Sequence, residues 1–126
     1  MIRTELSVRI QNSPGTVARV CDTLAAERVN LVALAVETNG LLRVVVDNPV
    51  HAAGVLREHH YHVEEREVLV VQISNDPGAF TKVARLMAEA GINLEYVYGT
   101  AMENSPMAVL VVGVADAQRA SAAAGV

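Results

Sequence analysis

The feature that most constrains this chain is an internal repeat. Residues 12–31, NSPGTVARVCDTLAAERVNL, return at 75–94 as NDPGAFTKVARLMAEAGINL, without a gap and at a constant offset of 63. The identical positions of the first copy are Asn12, Pro14, Gly15, Val20, Ala25, Asn30 and Leu31. Repetition at a fixed spacing indicates a duplicated structural unit. The 126 residues are therefore expected to form two units, at 1–66 and 67–126.

Each copy is expected to begin with a strand that leads into a helix. Residues 4–11, TELSVRIQ, alternate polar with apolar side chains, which is typical of a half-buried strand, and VLVVQIS at 68–74 is its counterpart. Apolar residues recur at helical spacing after each Pro-Gly, which predicts one buried helix face. Ser13 and Asp76 are the expected N-caps, with Pro14 and Pro77 in the first helical turn.

Each helix is expected to lead into a hairpin and then a second helix. Asn39-Gly40 between two apolar runs predicts a type I′ turn. A second helix is expected after Asn48-Pro49 and after Asp116, and residues 61–67, YHVEERE, resemble a fourth strand. The order strand, helix, strand, strand, helix, strand predicts an α+β fold of two ferredoxin-like units with helices on one face of antiparallel sheets. The second unit lacks residues for its last strand, so an open sheet edge is expected there.

Asn-x-Pro-Gly between strand and helix, with Ile/Val-Asn-Leu at the next strand, resembles the ACT domain, a module that usually binds amino acids and regulates enzymes of amino-acid metabolism. GLLRVVVDNP and INLEYVY are particularly similar to free-standing tandem ACT proteins, which have no catalytic domain. The resemblance implies a first ACT domain at 1–66 and a second at 67–126, incomplete at its C-terminus.

The resemblance also implies where a ligand binds. In ACT domains the amino acid typically lies between two domains packed side by side, where it contacts the strand-to-helix loop and the start of the second strand. A helix N-terminus offers free N–H groups and a positive dipole end to a carboxylate. The implied ligand residues are Asn12, Gly15, Thr16, Asn30 and Leu31 in the first copy, and Asn75, Asp76, Gly78, Ala79, Asn93, Leu94 and Tyr96 in the second. The alternative is that Pro-Gly only forms a sharp turn and that Asn12 and Asn75 only bind local backbone.

Tyr96 and three side chains outside the implied ligand residues have further candidate roles. Tyr96 and Tyr98 should share one strand face, where core packing is favoured and a pocket or interface role is the alternative. Arg43 should project from the solvent side of its strand and pair with Glu37. Cys21 lies on the buried helix face and is expected to be an inert thiol. No catalytic constellation and no metal-ligand set stands out, since His59, His60 and His62 lack a completing ligand.

Composition excludes several function classes. A formal charge of −4 argues against nucleic acid, and an RNA-binding module of this topology would also need aromatic residues on its central strands. Acylphosphatases, which share the topology, need an arginine in the loop, and metal carriers need Cys-x-x-Cys; neither is present. No apolar run is long enough for a membrane span, no signal peptide core is seen, and a cytoplasmic protein is expected.

We therefore expect a non-catalytic regulatory protein that needs no cofactor, binds a small amino acid between ACT units and forms a homodimer through its open sheet edge. One alternative is a partner of an amino-acid biosynthetic enzyme, like the small regulatory subunit of acetolactate synthase, whose second half is nevertheless a different fold. The other is a dimerisation module that binds nothing.

Overall fold

The computed structural model describes residues 1–126 and contains six strands and four helices. The strands are β1 (Ile2–Arg9), β2 (Leu31–Glu37), β3 (Leu41–Val46), β4 (Val63–Ser74), β5 (Tyr96–Thr100) and β6 (Met107–Gly113). The helices are α1 (Thr16–Ala26), α2 (Pro49–Glu58), α3 (Ala79–Glu89) and α4 (Ala117–Ala124). The predicted strand and helix order is confirmed. No helix is long and apolar enough to cross a membrane.

The chain divides into two compact units. The first unit comprises Thr4–Arg66, and the second comprises Glu67–Val126 together with Met1–Arg3. In the first unit the strand order is β2-β3-β1-β4, and in the second β5 and β6 pair antiparallel beside β4. Residues 61–67 and 68–74, expected as separate strands, form the single strand β4. Both units are ferredoxin-like, and the second lacks a fourth strand of its own, as predicted.

Alternation along the strands creates the helix-facing core of each unit. In the first unit, Leu6, Val8, Leu42 and Val44 point to the helices, where α1 contributes Val20 and Leu24. In the second unit, the corresponding side chains are Leu69, Val71 and Val112, with Val83 and Met87 from α3. Side chains two residues apart lie on the same face of a strand, which explains why the period-2 pattern predicted these positions.

The second unit was expected to have an open sheet edge, but part of that edge is paired. The Val70 N–H donates to the Met1 carbonyl at 2.8 Å, and the Met1 amino group donates to the Val70 carbonyl at 3.2 Å. Met1–Arg3 therefore lie where the fourth strand of a ferredoxin-like unit would lie. The physical reason is that the unpaired N–H and C=O groups of a strand edge can bond to an extended segment nearby, whatever its place in the sequence.

The hairpin between β2 and β3 differs from the predicted type I′ turn. Only Gly40 has positive φ, at 83°, and the Gly40 N–H donates to the Glu37 carbonyl at 3.1 Å. Thr38, Asn39 and Gly40 thus form a three-residue loop, the arrangement in which a type I turn precedes one left-handed residue. A Cβ on Gly40 would lie 2.4 Å from the Ile10 carbonyl oxygen, so both the conformation and the space require glycine.

Two of the four helix starts are as predicted, and the starts of α1 and α3 differ. Asn48 and Asp116 cap α2 and α4 through side-chain oxygens, which accept the N–H groups of His51 and Arg119. Gly91 follows α3 with φ 72°, the left-handed conformation in which glycine commonly ends a helix. Arg28 stands at the corresponding place after α1 and has φ 58°, without a glycine's freedom. Ser13 and Asp76, however, are not N-caps: Gly15 and Gly78 are.

Candidate ligand-binding loops and strand starts

The two Pro-Gly loops have nearly the same backbone conformation. Gly15 has φ 86° and ψ −9°, and Gly78 has φ 79° and ψ 0°. The Thr16 N–H donates to the Ser13 carbonyl at 3.3 Å, and the Ala79 N–H donates to the Asp76 carbonyl at 3.2 Å. Proline followed by glycine with these angles defines a type II turn. This turn places the proline before the helix, which explains why the predicted caps are wrong.

No side chain caps either helix that follows a Pro-Gly turn. At the start of α3, the N–H groups of Phe80 and Thr81 bond to no protein atom, and those of Val17 and Ala18 are equally free at the start of α1. A helix with uncapped N–H groups carries a partial positive charge at that end. Each loop therefore presents backbone donors with which a carboxylate could bond.

Asn12 and Asn75 hold these loops against the hairpin of the same unit. The Asn12 side-chain amide donates to the Thr38 carbonyl at 3.2 Å. The Asn75 amide donates to the Met102 carbonyl at 3.2 Å and to the Ser105 carbonyl at 2.9 Å. These carbonyls lie 26 to 30 residues further along the chain, so neither asparagine makes the local backbone contact of the alternative interpretation. Asn12 and Asn75 fix the position of the loop.

Within one unit, the loop and the start of the second strand lie at opposite ends of the sheet. Leu31 pairs with Val46, whereas Glu37 and Arg9 both pair with Leu41. Six residues of strand, at about 3.3 Å each, therefore separate Asn30 and Leu31 from the loop by about 20 Å. In the second unit, β5 and β6 have the same arrangement as β2 and β3 in the first. Asn93 and Leu94 therefore lie far from Gly78. The structure brings the loop residues of each copy together: Asn12, Gly15 and Thr16 in the first, and Asn75, Asp76, Gly78 and Ala79 in the second. Neither group contacts the predicted residues at the strand start of its own unit.

The loops of the two copies differ in what surrounds the glycine. In the first copy, Thr16 is buried and its hydroxyl lies 3.0 Å from the Ser13 hydroxyl and 3.3 Å from an Arg19 guanidinium nitrogen. A Cβ on Gly15 would lie 3.3 Å from that guanidinium. Arg19 therefore covers the first loop.

The second loop is open. A Cβ on Gly78 would have no neighbour within 4 Å, and the glycine borders a groove of about 480 Å³ along α3. Lys82 and Arg85 line this groove together with Leu86 and Glu89. Ala79 stands where the first copy has Thr16, and Asp76 is exposed. Both copies therefore have positive charge beside the turn, but only the second has open space there.

Tyr96 and Tyr98 lie on the same face of β5, as predicted, but outside the helix-facing core. Tyr96 pairs with Gly113 and Tyr98 with Val111, on the face opposite Val112. The two rings stack with centroids 6.3 Å apart and planes 18° apart. A Cβ on Gly113 would lie 2.2 Å from the Tyr96 ring. Glycine at position 113 therefore lets the Tyr96 ring lie flat against the sheet, and the favoured core-packing role is wrong.

A buried charge cluster in the first unit was not predicted in full. Arg43 donates to Glu37 at 2.7 Å, as expected, and also to Glu5 at 3.2 Å. The Arg43 side chain is only 13% exposed and Glu5 is fully buried. Alternation in TELSVRIQ assigned Glu5 to a solvated face, and nothing in that pattern signals that the face is covered.

The remaining reactive side chains show no assembled site. No group of three or more His, Cys, Asp or Glu side chains lies close enough to hold a metal ion. Cys21 is half-buried, and burial together with the neighbouring Asp22 carboxylate raises the pKa of its thiol. The thiolate is the reactive form of cysteine, so the raised pKa fits the inert role predicted for this residue.

Comparisons with known proteins agree with the geometry. Residues 1–123 match the family described as an ACT domain pair. The structure is similar to protein BT0572 from Bacteroides thetaiotaomicron, at 30% identity and a TM-score of 0.90, over 98% of this chain and 86% of that one. No curated protein matches significantly.

Two further structures share the fold at lower identity. The regulatory subunit of aspartate kinase from Thermus thermophilus, in a ligand-free form, is 18% identical with a TM-score of 0.72, over 99% of this chain and 92% of that one. The aspartokinase alpha and beta subunits are 16% identical with a TM-score of 0.73, over 99% and 91%. An internal repeat, two ferredoxin-like units and a family match over nearly the whole length lead to one conclusion: the chain belongs to the ACT domain pair family.

Proposed function

We propose that this protein is a non-catalytic, cytoplasmic regulator that binds a small amino acid through its Pro-Gly loops. The observation that carries the proposal is the uncapped helix start that follows the Pro-Gly turn in both units. An ACT domain pair is a regulatory module, and each loop offers free N–H groups to a carboxylate. We place the boundary between the two ACT domains at residues 66 and 67.

A ligand that contacts both parts of the implied site must bridge two units. The loop and the strand start of one unit are about 20 Å apart, too far for one small amino acid. The ligand carboxylate would bind the loop of one unit, while the strand start of a unit from a second copy of the chain binds the rest. Such a ligand stabilises the arrangement it bridges, and by linkage that arrangement binds the ligand more tightly.

The second copy is the better candidate for the loop half of this site. Gly78 borders an open groove, whereas Arg19 covers Gly15. Asp76 is exposed beside the turn, where its carboxylate can attract the ammonium group of the ligand. Lys82 and Arg85, which line the groove, favour the carboxylate.

The proposed homodimer uses the free edge of β2. Val32, Leu34 and Val36 are 47%, 40% and 43% exposed on this edge strand, and no lysine or proline protects it. An unprotected apolar edge favours pairing with another strand. Antiparallel pairing of two β2 strands about a twofold axis at Leu34 would bury these side chains in a self-complementary interface.

A second candidate function is that of a subunit which regulates an amino-acid biosynthetic enzyme. The regulatory subunit of aspartate kinase from Thermus thermophilus is covered over 92% of its length, which favours a similar separate subunit here. The acetolactate synthase alternative is less favoured, because the second half of this chain repeats the ACT fold. A dimerisation module without a ligand is the remaining alternative.

Thermal unfolding with each of the twenty amino acids tests the proposal. A ligand at about 100 times its dissociation constant adds about 2.7 kcal/mol, which corresponds to several degrees for a chain of this size. Ala79→Asp should remove the shift, because a carboxylate in the first turn of α3 competes for the free N–H groups while its charge suits the helix dipole.

Val50→Asp is the matched control, since it adds the same charge to the first turn of α2, at a side chain that is 80% exposed. This variant should keep the full shift. If no amino acid raises the melting temperature, the binding proposal fails and the dimerisation module is favoured. If Ala79→Asp responds like the unmodified protein, the loop is not the site.

A further inference from the structure

The two copies differ at the strand start that follows the first helix of each unit. In the first unit, the Asn30 N–H donates to the Asp47 carboxylate at 3.0 Å, and the Asp47 N–H donates to the Asn30 carbonyl at 3.1 Å. Asp47 follows β3 and immediately precedes Asn48, the N-cap of α2. A side-chain carboxylate therefore occupies the backbone donor at Asn30.

The second unit has no such carboxylate. Ala115 precedes Asp116, the N-cap of α4, so Ala115 stands where Asp47 stands in the first unit. A methyl group accepts no hydrogen bond, and the Asn93 N–H bonds to no protein atom. In place of the carboxylate there is a cavity of about 240 Å³ that Asn93 and Ala115 line together with Gly91, Glu95, Asp116 and Arg119. Typical pockets for drug-sized ligands begin at about 300 Å³, so this cavity suits a smaller ligand.

The charges around the cavity have both signs. One guanidinium N–H of Arg119 donates to the Ala90 carbonyl, which leaves other N–H groups of that side chain available. One Asp116 oxygen accepts the Arg119 backbone N–H at 3.0 Å, and the other accepts no bond within the protein. Glu95 adds a second carboxylate. A simple anion would meet two carboxylates here, whereas a zwitterion can place each of its charges beside an opposite one.

We propose that this cavity is an α-amino-acid site of the second unit, in which the ligand carboxylate takes the place that Asp47 occupies in the first. The carboxylate accepts from the Asn93 N–H and from Arg119, and the ammonium group donates to Asp116 and Glu95. The inference rests on the proposed function for the amino-acid ligand, but it uses a different part of the fold from the Pro-Gly loops. In the first unit the Asp47 carboxylate already accepts from the Asn30 N–H, so that donor is not available to a ligand.

Ala115→Asp tests the inference by giving the second unit the residue of the first. The binding of each of the twenty amino acids to the 15N-labelled protein is followed at the Asn93 amide resonance, with the Asn30 amide as an internal reference. We expect one or more amino acids to shift the Asn93 resonance and leave Asn30 unmoved. In Ala115→Asp the dissociation constant should rise at least tenfold, while the melting temperature without ligand is unchanged or higher.

Ala88→Asp is the control, because it adds the same charge on the exposed side of α3. It should bind as the unmodified protein does. Binding that Ala79→Asp abolishes and Ala115→Asp leaves intact would overturn this cavity as the site while keeping the proposed function. Binding that Ala115→Asp abolishes and Ala79→Asp leaves intact would support the cavity and remove the loop. If no amino acid binds, both proposals fail.

Discussion

At the scale of single residues, the glycines of the two loops are required by backbone conformation. Gly15 and Gly78 hold the left-handed position of a type II turn, with φ of 86° and 79°. L-amino acids lose about 1–2 kcal/mol in that region. Gly54 differs, since it lies inside α2 without positive φ, and a Cβ there would have no neighbour within 4 Å.

Alanine at Gly15 or Gly78 should therefore change the free energy of unfolding in the opposite direction from alanine at Gly54. Gly15→Ala and Gly78→Ala should each lower it by about 1–2 kcal/mol. Gly54→Ala should raise it by about 0.5–1 kcal/mol, since glycine within a helix is destabilising relative to alanine. Urea unfolding monitored by circular dichroism measures all three. Stabilisation by Gly78→Ala would contradict the type II turn.

The Glu5–Arg43–Glu37 cluster is the other residue-scale feature with a measurable consequence. Arg43→Met removes the cation beside the buried Glu5 carboxylate and should lower the free energy of unfolding by about 3–5 kcal/mol, because a buried charge is left without its arginine. Arg57→Met is the control: Arg57 and Glu65 pair at 3.3 Å but are 49% and 41% exposed, so the loss should stay below about 1 kcal/mol. Equal losses in the two variants would contradict the burial of Glu5.

At the scale of secondary structure, the sequence predicted those features that depend on local periodicity. Alternation along β1 and helical spacing along α1 predicted the core positions. Asn48 and Asp116 predicted where two helices start. The turn types were missed because they depend on φ at one residue: Gly40 alone is left-handed in the first hairpin. The role of Met1–Arg3 beside β4 was missed because strand pairing between distant segments leaves no local signal.

At this scale, the prediction concerns dimer formation through the free edge of β2. Leu34→Lys should give a monomer, because a charged side chain in the middle of an apolar edge strand opposes pairing with a second copy. Val50→Lys, on the exposed side of α2, should leave the dimer intact. Sedimentation equilibrium of both variants gives the mass in solution. A Leu34→Lys dimer as stable as the unmodified one would place the interface elsewhere.

At the scale of the whole molecule, duplication has produced two units with the same fold and different chemistry. In the first unit, Arg19 covers the loop and the Asp47 carboxylate accepts from the Asn30 N–H. The second unit leaves both open, beside Gly78 and beside Asn93. The sequence predicted the repeated candidate residues, but their separation to opposite ends of the sheet depends on strand register, which the repeat does not encode.

The central claim is that the second unit binds a small amino acid, and isothermal titration calorimetry tests it most directly. For the amino acid with the largest thermal shift, we predict saturable binding at a site in the second unit. Asp47→Ala and Arg19→Ala, both in the first unit, should leave the affinity of that site unchanged. The absence of binding heat for every amino acid, confirmed by equilibrium dialysis, would contradict the account.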